Sequence, residues 1–533
     1  MLCPGSPFQD SLGKAGLFHL RCCAATADRR VHDGSSLGFD RNSWDSTLDQ
    51  DSGMEKRLNL LVLCSDTFRV DHLSCYREDS PVQTPNLDRI SREGVRFESA
   101  FGEGTPTLPA RRVLYTGRPI FPFLWAPQKW DRVNLAGWHP LFYEDVTLAE
   151  WLVERGYTTG LISDLPHQFK PGKNFHRGFH QFNWERGQEM DYLVAGPRDK
   201  APIDKYDPVG KGSPLLTQFL MNSRDWKDET DWCSVRVLRK GMDFLRENAG
   251  QQPFMLWLEC FFPHEPWFAP PELVEKHYEG DDHDGVEWIF PPGTTDEMTE
   301  NQVHRVRAHY RGLCELIDRW FGRLMDVAED QNLLENTIVV FLSDHGTMMG
   351  EQGQLHKGPN RLRWQCTQVP MLIRHPDVST FGGRVVPNFV QHQDLMPTLL
   401  NLMGHEIPGR CTGSNLGPLM RGESAADKEH VITAFGNYAS VRSRQWNYQT
   451  PWVQNNWEAM PENHRRLSPP ELYDLSVDPD ELRNVVEGHP DVAAAYHEIL
   501  MKHIAENRSL TGGSLEVGDS AFHEVPLFDQ SQL

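Results

Sequence analysis

From residue 59 onward the chain alternates between short apolar runs and longer segments of helical period. NLLVLC (59–64) is apolar throughout, the pattern of a strand buried on both faces of a parallel sheet. TTGLIS (158–163), FMLWLECFF (254–262), TIVVFL (337–342) and VPMLIR (369–374) predict further buried strands. Between them TPNLDRISREGVRF (84–97) predicts a helix capped by Thr84, with Pro85 at its first position and Gly94 ending it. Residues 146–155 and 301–328 predict two more helices. Strands separated by helices give an α/β sandwich around a mostly parallel sheet. Residues 183–250 and 265–300, rich in Trp, Pro, Asp and Gly, predict long surface insertions. Beyond Gly404 the pattern shifts to a smaller α+β region, with strand-like 430–435 and 439–449 and a final helix at 491–506.

The first 53 residues lack sustained periodicity, and their one apolar stretch, GLFHL (16–20), is too short for a secretory signal. Met54 directly precedes the first strand, so the functional start is expected there, with 1–53 a disordered or mis-assigned extension. The expected organisation is a main domain at 54–404, a smaller α+β subdomain at 405–515 and a tail at 516–533.

Composition narrows the partners. Hydrophobic residues make up 39 % and charged residues 24 % of the 533, as in a globular protein. A formal charge of −22 opposes nucleic acid or an anionic membrane as the main partner. No apolar run approaches the roughly 18 residues of a membrane span. The ten cysteines form no framework. Cys64 and Cys260 lie in strands and predict buried free thiols, Cys22 and Cys23 have no CxxC partner, and the cytoplasm suits this usage.

Chemistry gathers where parallel strands end. NLLVLC delivers Asp66 and Thr67, TIVVFL delivers Asp344 and His345, and FMLWLECFF delivers His264. One Asp after a strand is usually a turn or cap; two Asp and two His at three strand ends point to a metal and an anion. Thr107, in GTPTLPARR, stands where a helix begins, and Arg111 lies one turn on, so an anion there would meet free N–H groups and the helix dipole. The DDHD run (281–284) reads as a solvated turn and Asp394 as a helix cap.

These segments, with TPNLDR, TLPARR…TGR, SDHG, HKG and ELYDLSVDPDELRNV in order, resemble the sulfatase family of the alkaline phosphatase superfamily over residues 57–505. The resemblance is to the arylsulfatase and phosphonate monoester hydrolase branch, and it implies an alkaline-phosphatase-like fold and a metal-dependent ester hydrolase. By position it implies Asp66, Asp344 and His345 as metal ligands, Thr107 at the site of the family's formylglycine, and Arg111, His264 and Lys357 on the anion. His167, in SDLPHQF, falls near the family's Lys-x-His pair, of which only the His remains.

Two departures shape the expected chemistry. Threonine at 107 cannot give formylglycine, so none is expected, yet its hydroxyl on a metal is a competent nucleophile. Thr67 replaces the second Asp of the family's Asp-Asp pair, and His345 stands where many sulfatases have Asn, as in phosphonate monoester hydrolases. One divalent ion is therefore expected, with Mn, Zn or Fe preferred over Ca. The expected substrate is a small anionic ester, a phosphodiester or phosphonate monoester before a sulfate ester; a catalytically inactive anion-binding protein is the remaining alternative. The sequence leaves homo-oligomerisation open.

Overall fold

Each central strand divides its side chains between two cores. In Asn59–Ser65, Leu61 and Leu63 enter a core shared with helices Cys233–Asn248 and Glu300–Asp330, while Leu60, Val62 and Cys64 enter another beneath helices Thr107–Thr116 and Leu395–Leu402. Strands Phe254–Cys260 and Thr337–Ser343 alternate likewise. Burial on both faces is why these runs are apolar at every position. The computed structural model describes residues 57–126, 131, 133, 135–197, 201–207, 213–452 and 467–508. The expected extension over 1–53 with Cys22 and Cys23, Met54 and the tail at 516–533 lie outside the described residues.

The main sheet has eight strands in the order Arg384–Gln391, Val95–Phe101, Met371–Arg374, Thr337–Ser343, Asn59–Ser65, Phe254–Cys260, Thr158–Ser163 and Gln181–Trp184. Met371–Arg374 runs against both of its neighbours, and every other pairing is parallel. The α/β sandwich around a mostly parallel sheet is thus present, with helices on both faces.

Several local expectations change. The helix after Thr84 ends at Glu93, and VRF opens the strand Val95–Phe101. Gly94 lies so close to its neighbour that a Cβ would stand 2.4 Å from the Ile373 carbonyl oxygen, so this glycine turns the chain into the sheet. The Thr84 side chain does not cap the helix. Asp318, reaching over from the long helix, accepts from the Asn86 and Leu87 backbone N–H groups at 3.4 and 2.8 Å. The supposed insertion at 183–250 contains the core helix Cys233–Asn248, whose Val235, Leu238, Met242 and Leu245 all face the first core. The segment 439–449 is a hairpin of Tyr438–Arg442 and Trp446–Pro451. Its turn is held by Ser443 Oγ, which accepts from Gln445 and Trp446 N–H.

The smaller C-terminal region forms a second sheet in the order Glu471–Asp474, Trp446–Pro451, Tyr438–Arg442, Val431–Phe435 and Gly104–Thr105. Its last member comes from the main region, directly ahead of Thr107. Cys64 and Cys260 are buried and free, and the DDHD turn is exposed. No helix among the described residues is long and apolar enough to cross a membrane.

Candidate active site

Strand register brings the key residues together. Ser65 lies opposite both Ser343 and Cys260 in parallel pairings, so the residues that follow emerge at one level on the carboxyl edge of the sheet. Asp66, Asp344 and His345 offer ligand atoms within 4.8 Å of one another, and no other such group of three occurs among the described residues. All three are buried. Asp344 Oδ1 accepts from the Thr67 and His345 N–H groups at 3.0 and 2.8 Å. Thr67 adopts a left-handed φ of 59° to present that N–H.

The cluster is incompletely satisfied. Asp66 Oδ1, Thr67 Oγ1 and His345 Nε2 are buried without a hydrogen-bond partner. His345 Nδ1 lies 2.9 Å from the Gly346 carbonyl oxygen; a carbonyl only accepts, so Nδ1 carries the proton and Nε2 presents its lone pair. That lone pair stands 3.5 Å from Asp344 Oδ2 and 3.9 Å from Asp66 Oδ1. Burial pushes the ring down to about 4, so it is neutral. Burial, and then the facing Asp344, raise Asp66 well above the carboxylate range. Burial opposes the charge on Asp344 too, but His345, Arg111 and the Thr67 N–H outweigh it and hold Asp344 low. Unpaired buried polar atoms cost about 1–3 kcal/mol each, and a divalent cation among the Asp66, Asp344 and His345 ligand atoms would satisfy Asp66 Oδ1 and His345 Nε2 together. The donor set fits one.

Arg111 ties Thr107 to this cluster. The helix Thr107–Thr116 starts directly after Gly104–Thr105, which pairs with Val431–Phe435 in the second sheet. One turn along, Arg111 NH1 donates to the Thr107 carbonyl at 3.0 Å and to Asp344 Oδ2 at 2.5 Å. Its NH2 lies 3.2 Å from Asp66 and 2.9 Å from Glu259. Burial opposes its charge, but Glu259 and Asp344 more than compensate, and Arg111 is held above its ordinary value. Glu259 was not anticipated as a site residue, although a lone acid inside FMLWLECFF is a buried charge that needs a partner. It also accepts from Trp257 Nε1 at 2.8 Å and Gln168 Nε2 at 3.1 Å.

A second cluster faces the first. Lys357 Nζ lies 2.6 Å from His264 Nε2 and donates to Glu265 Oε1 at 2.9 Å. His264 Nδ1 bonds the Glu265 carbonyl at 2.5 Å, so its Nε2 accepts from the ammonium. Burial pushes His264 down to about 3. Burial works against the Lys357 charge as well, but Glu265 and Asp66 lift it above its ordinary value. His167 has its Nε2 2.8 Å from Glu189 Oε2, and its ring lies 6.4 Å from Phe261, on which His264 stacks. Glu189 and Glu265 were likewise not anticipated. Thus Asp66, Asp344, His345, Arg111 and the Thr107 backbone meet in one cluster and His264 with Lys357 in another, with His167 beside them.

Known proteins share this frame. The sulfatase family model matches residues 58–405, and the model for the C-terminal region of N-sulphoglucosamine sulphohydrolase matches 356–509. Arylsulfatase K of Rattus norvegicus is 24 % identical over 475 residues, covering 82 % of this chain and 77 % of the relative. The phosphonate monoester hydrolase of Agrobacterium radiobacter superposes with a TM-score of 0.63 at 22 % identity, covering 84 % of this chain and 96 % of its own. A structure solved with its substrate D-glucosamine-2-N,6-O-disulfate gives 0.61 at 19 % identity, covering 88 % of this chain and 100 % of its own. With the family model matched across the whole main sheet, the chain belongs to the sulfatase family and is an ester-hydrolysing enzyme.

Proposed function

We propose that this chain hydrolyses a small anionic ester, a phosphodiester or phosphonate monoester in the first place, with Thr107 as the nucleophile. The observation that carries the reading is the His345 Nε2 lone pair standing unpartnered between two carboxylates. Sulfatase-family enzymes use a metal ion, and this mixed oxygen and nitrogen set favours manganese, zinc or iron over calcium, which prefers oxygen alone. When bound, such an ion polarises the ester and acidifies a neighbouring hydroxyl.

The chain's own groups do the rest. Thr107 Oγ bonds to the central phosphorus as the bond to the leaving oxygen breaks; that oxygen takes up a proton, and water then cleaves the threonine ester and restores the hydroxyl. Arg111 holds Asp66, Asp344 and the Thr107 carbonyl in one arrangement. Lys357, an ammonium whose charge acts on Asp66, balances charge on the equatorial oxygens. His264, neutral and accepting from Lys357, fixes that ammonium. Neighbouring elements support the wider setting: the site lies in the region 54–404 with 405–515 as accessory, and the seven free cysteines among the described residues suit the cytoplasm.

The arylsulfatase relatives favour a second reading, hydrolysis of a sulfate ester by the same groups. Turnover of p-nitrophenyl sulfate, phosphate, phosphodiester and phosphonate monoester by metal-loaded protein separates the two. Diester or phosphonate turnover that falls at least about 10³-fold in Thr107→Ala, with metal content unchanged, is the expected result. Dominant sulfate turnover would replace the first reading with the second, and an unaffected Thr107→Ala would remove the nucleophile assignment.

A further inference from the structure

The turn that follows Asp66 is tied to a helix outside the metal cluster. Thr67 sits at φ 59°, a conformation that a β-branched residue rarely adopts and that its surroundings must enforce. Three consecutive backbone N–H groups serve this end. Thr67 N–H donates to Asp344 Oδ1 at 3.0 Å, Phe68 N–H to Ser343 Oγ at 2.8 Å, and Arg69 N–H to the Tyr310 hydroxyl at 2.9 Å. The Tyr310 hydroxyl in turn donates to the Thr67 carbonyl at 2.7 Å. An N–H only donates and a carbonyl only accepts, so this one hydroxyl does both and clasps the turn across Phe68.

These contacts come from different places. Asp344 and Ser343 belong to the strand end that delivers the ligands themselves. Tyr310 comes from the long helix Glu300–Asp330, where it is fully buried with its ring against His72 at 4.9 Å and Trp267 at 6.3 Å. The helix is fixed at this level by the preceding residue, His309, whose Nδ1 accepts from Ala269 N–H at 3.3 Å and whose Nε2 lies 2.7 Å from Glu287 Oε2. The hydroxyl is thus a held point to which a strained turn is fastened. Asp66 directly precedes Thr67, so slack in the turn becomes slack in the donor set.

We propose that Tyr310 is a positioning residue for the metal: through Thr67, its hydroxyl sets Asp66 against Asp344 and His345 before an ion arrives. The inference rests on the metal-dependent reading above and adds to it a residue that acts through the backbone.

The test measures manganese binding to full-length protein by calorimetry without ester, then turnover of the p-nitrophenyl ester that wild type hydrolyses fastest, over a range of manganese concentrations. Tyr310→Phe removes the hydroxyl and keeps the ring. Expected is a manganese Kd raised about 10- to 100-fold, the scale for losing a partner that orients metal ligands, with kcat and KM returning to wild-type values at saturating manganese. Tyr157→Phe is the control, because Tyr157 is also buried and its hydroxyl donates to the Leu58 carbonyl at 3.1 Å, at the other end of the Asn59–Ser65 strand. It loses a bond of the same kind and should bind manganese as wild type does. Thermal midpoints with and without manganese report the affinity even of a variant too unstable to titrate, since an ion that binds only the folded state raises the midpoint. Unchanged manganese affinity in Tyr310→Phe, or equal weakening in Tyr157→Phe, would overturn the assignment and leave the hydrolase reading intact. Turnover that saturating manganese fails to restore would also overturn it. Wild-type protein that binds neither manganese nor zinc would overturn it through the failure of the metal reading itself.

Discussion

The two charged clusters at the carboxyl edge of the sheet are built from similar residue types and are satisfied to different degrees. Around Lys357 an ammonium meets a carboxylate and an imidazole acceptor, and of these groups only Glu265 Oε2 is left without a hydrogen-bond partner. Around Asp66 two carboxylates face each other, with Asp66 Oδ1, Thr67 Oγ1 and His345 Nε2 left over. Arg111 does not close the difference, because its charge is shared among Asp66, Asp344 and Glu259. The comparison teaches where a ligand is required: a carboxylate that already holds an ammonium tolerates one unpaired oxygen, whereas the unpaired atoms that converge at Asp66 and His345 are completed from outside.

The largest effect follows from the incomplete cluster. Asp66→Ala removes one carboxylate from a three-residue donor set. Turnover is expected to fall at least about 10³-fold, the scale set by losing charge stabilisation in a transition state, and bound metal measured by elemental analysis should fall from stoichiometric to near zero. Stripping wild-type protein with a chelator should reproduce the loss, and manganese or zinc should restore it better than calcium. Full metal occupancy in Asp66→Ala would break the comparison, because the unpaired atoms would then not mark the ion's place.

The cluster around Lys357 makes a different prediction. Lys357→Met keeps the side-chain length and strands Glu265, a buried carboxylate whose other neighbours are His356 at 3.4 Å and His264. A drop in kcat/KM of about 10²-fold is expected from losing a positioned cation, with metal content unchanged and stability lowered by about 3 kcal/mol for the uncompensated charge. Loss of metal along with Lys357 would mean the two clusters are one. Calorimetry and elemental analysis of the same sample decide the point.

The metal-type residues were legible because strand ends carry function and the registers of Asn59–Ser65, Thr337–Ser343 and Phe254–Cys260 align. Continuous apolar runs revealed the strands for the same reason that they are buried on both faces. The acidic partners Glu189, Glu265 and Glu259 were less legible, since which basic group meets which carboxylate depends on contacts 22, 92 and 148 residues apart. The core helix Cys233–Asn248 was hidden by its polar surroundings, although Val235, Leu238, Met242 and Leu245 carry its period. Nor does local pattern disclose that Gly104–Thr105, beside Thr107, joins the C-terminal sheet: a two-residue strand has no periodicity to read.

That junction holds the carboxylate that sharpens the comparison most finely. Glu103 is buried and accepts from the Ile120 and Phe121 N–H groups at 3.1 and 3.0 Å, so it links the two loops that flank the Thr107 helix. It has donors, as Asp344 has, but no salt-bridge cation of its own among the described residues. Burial raises it to about 7, with the two N–H bonds only partly offsetting the rise. Because the folded value lies above the unfolded one, its contribution to stability is full below the ordinary glutamate range and is lost as pH rises through about 7. At 1.36 kcal/mol per pKa unit, wild-type protein should lose up to about 3 kcal/mol on this account between pH 4.5 and 8. Glu103→Gln cannot ionise, so its stability should vary less over that window, starting about 1 kcal/mol below wild type at pH 5 because the amide NH₂ now faces a backbone donor. Urea unfolding of both proteins at pH 5 and 8 measures the crossover. Parallel pH profiles would mean that the two N–H donors suffice to keep a buried carboxylate ionised, and the unpaired atoms around Asp66 would then be weaker evidence for a required cation.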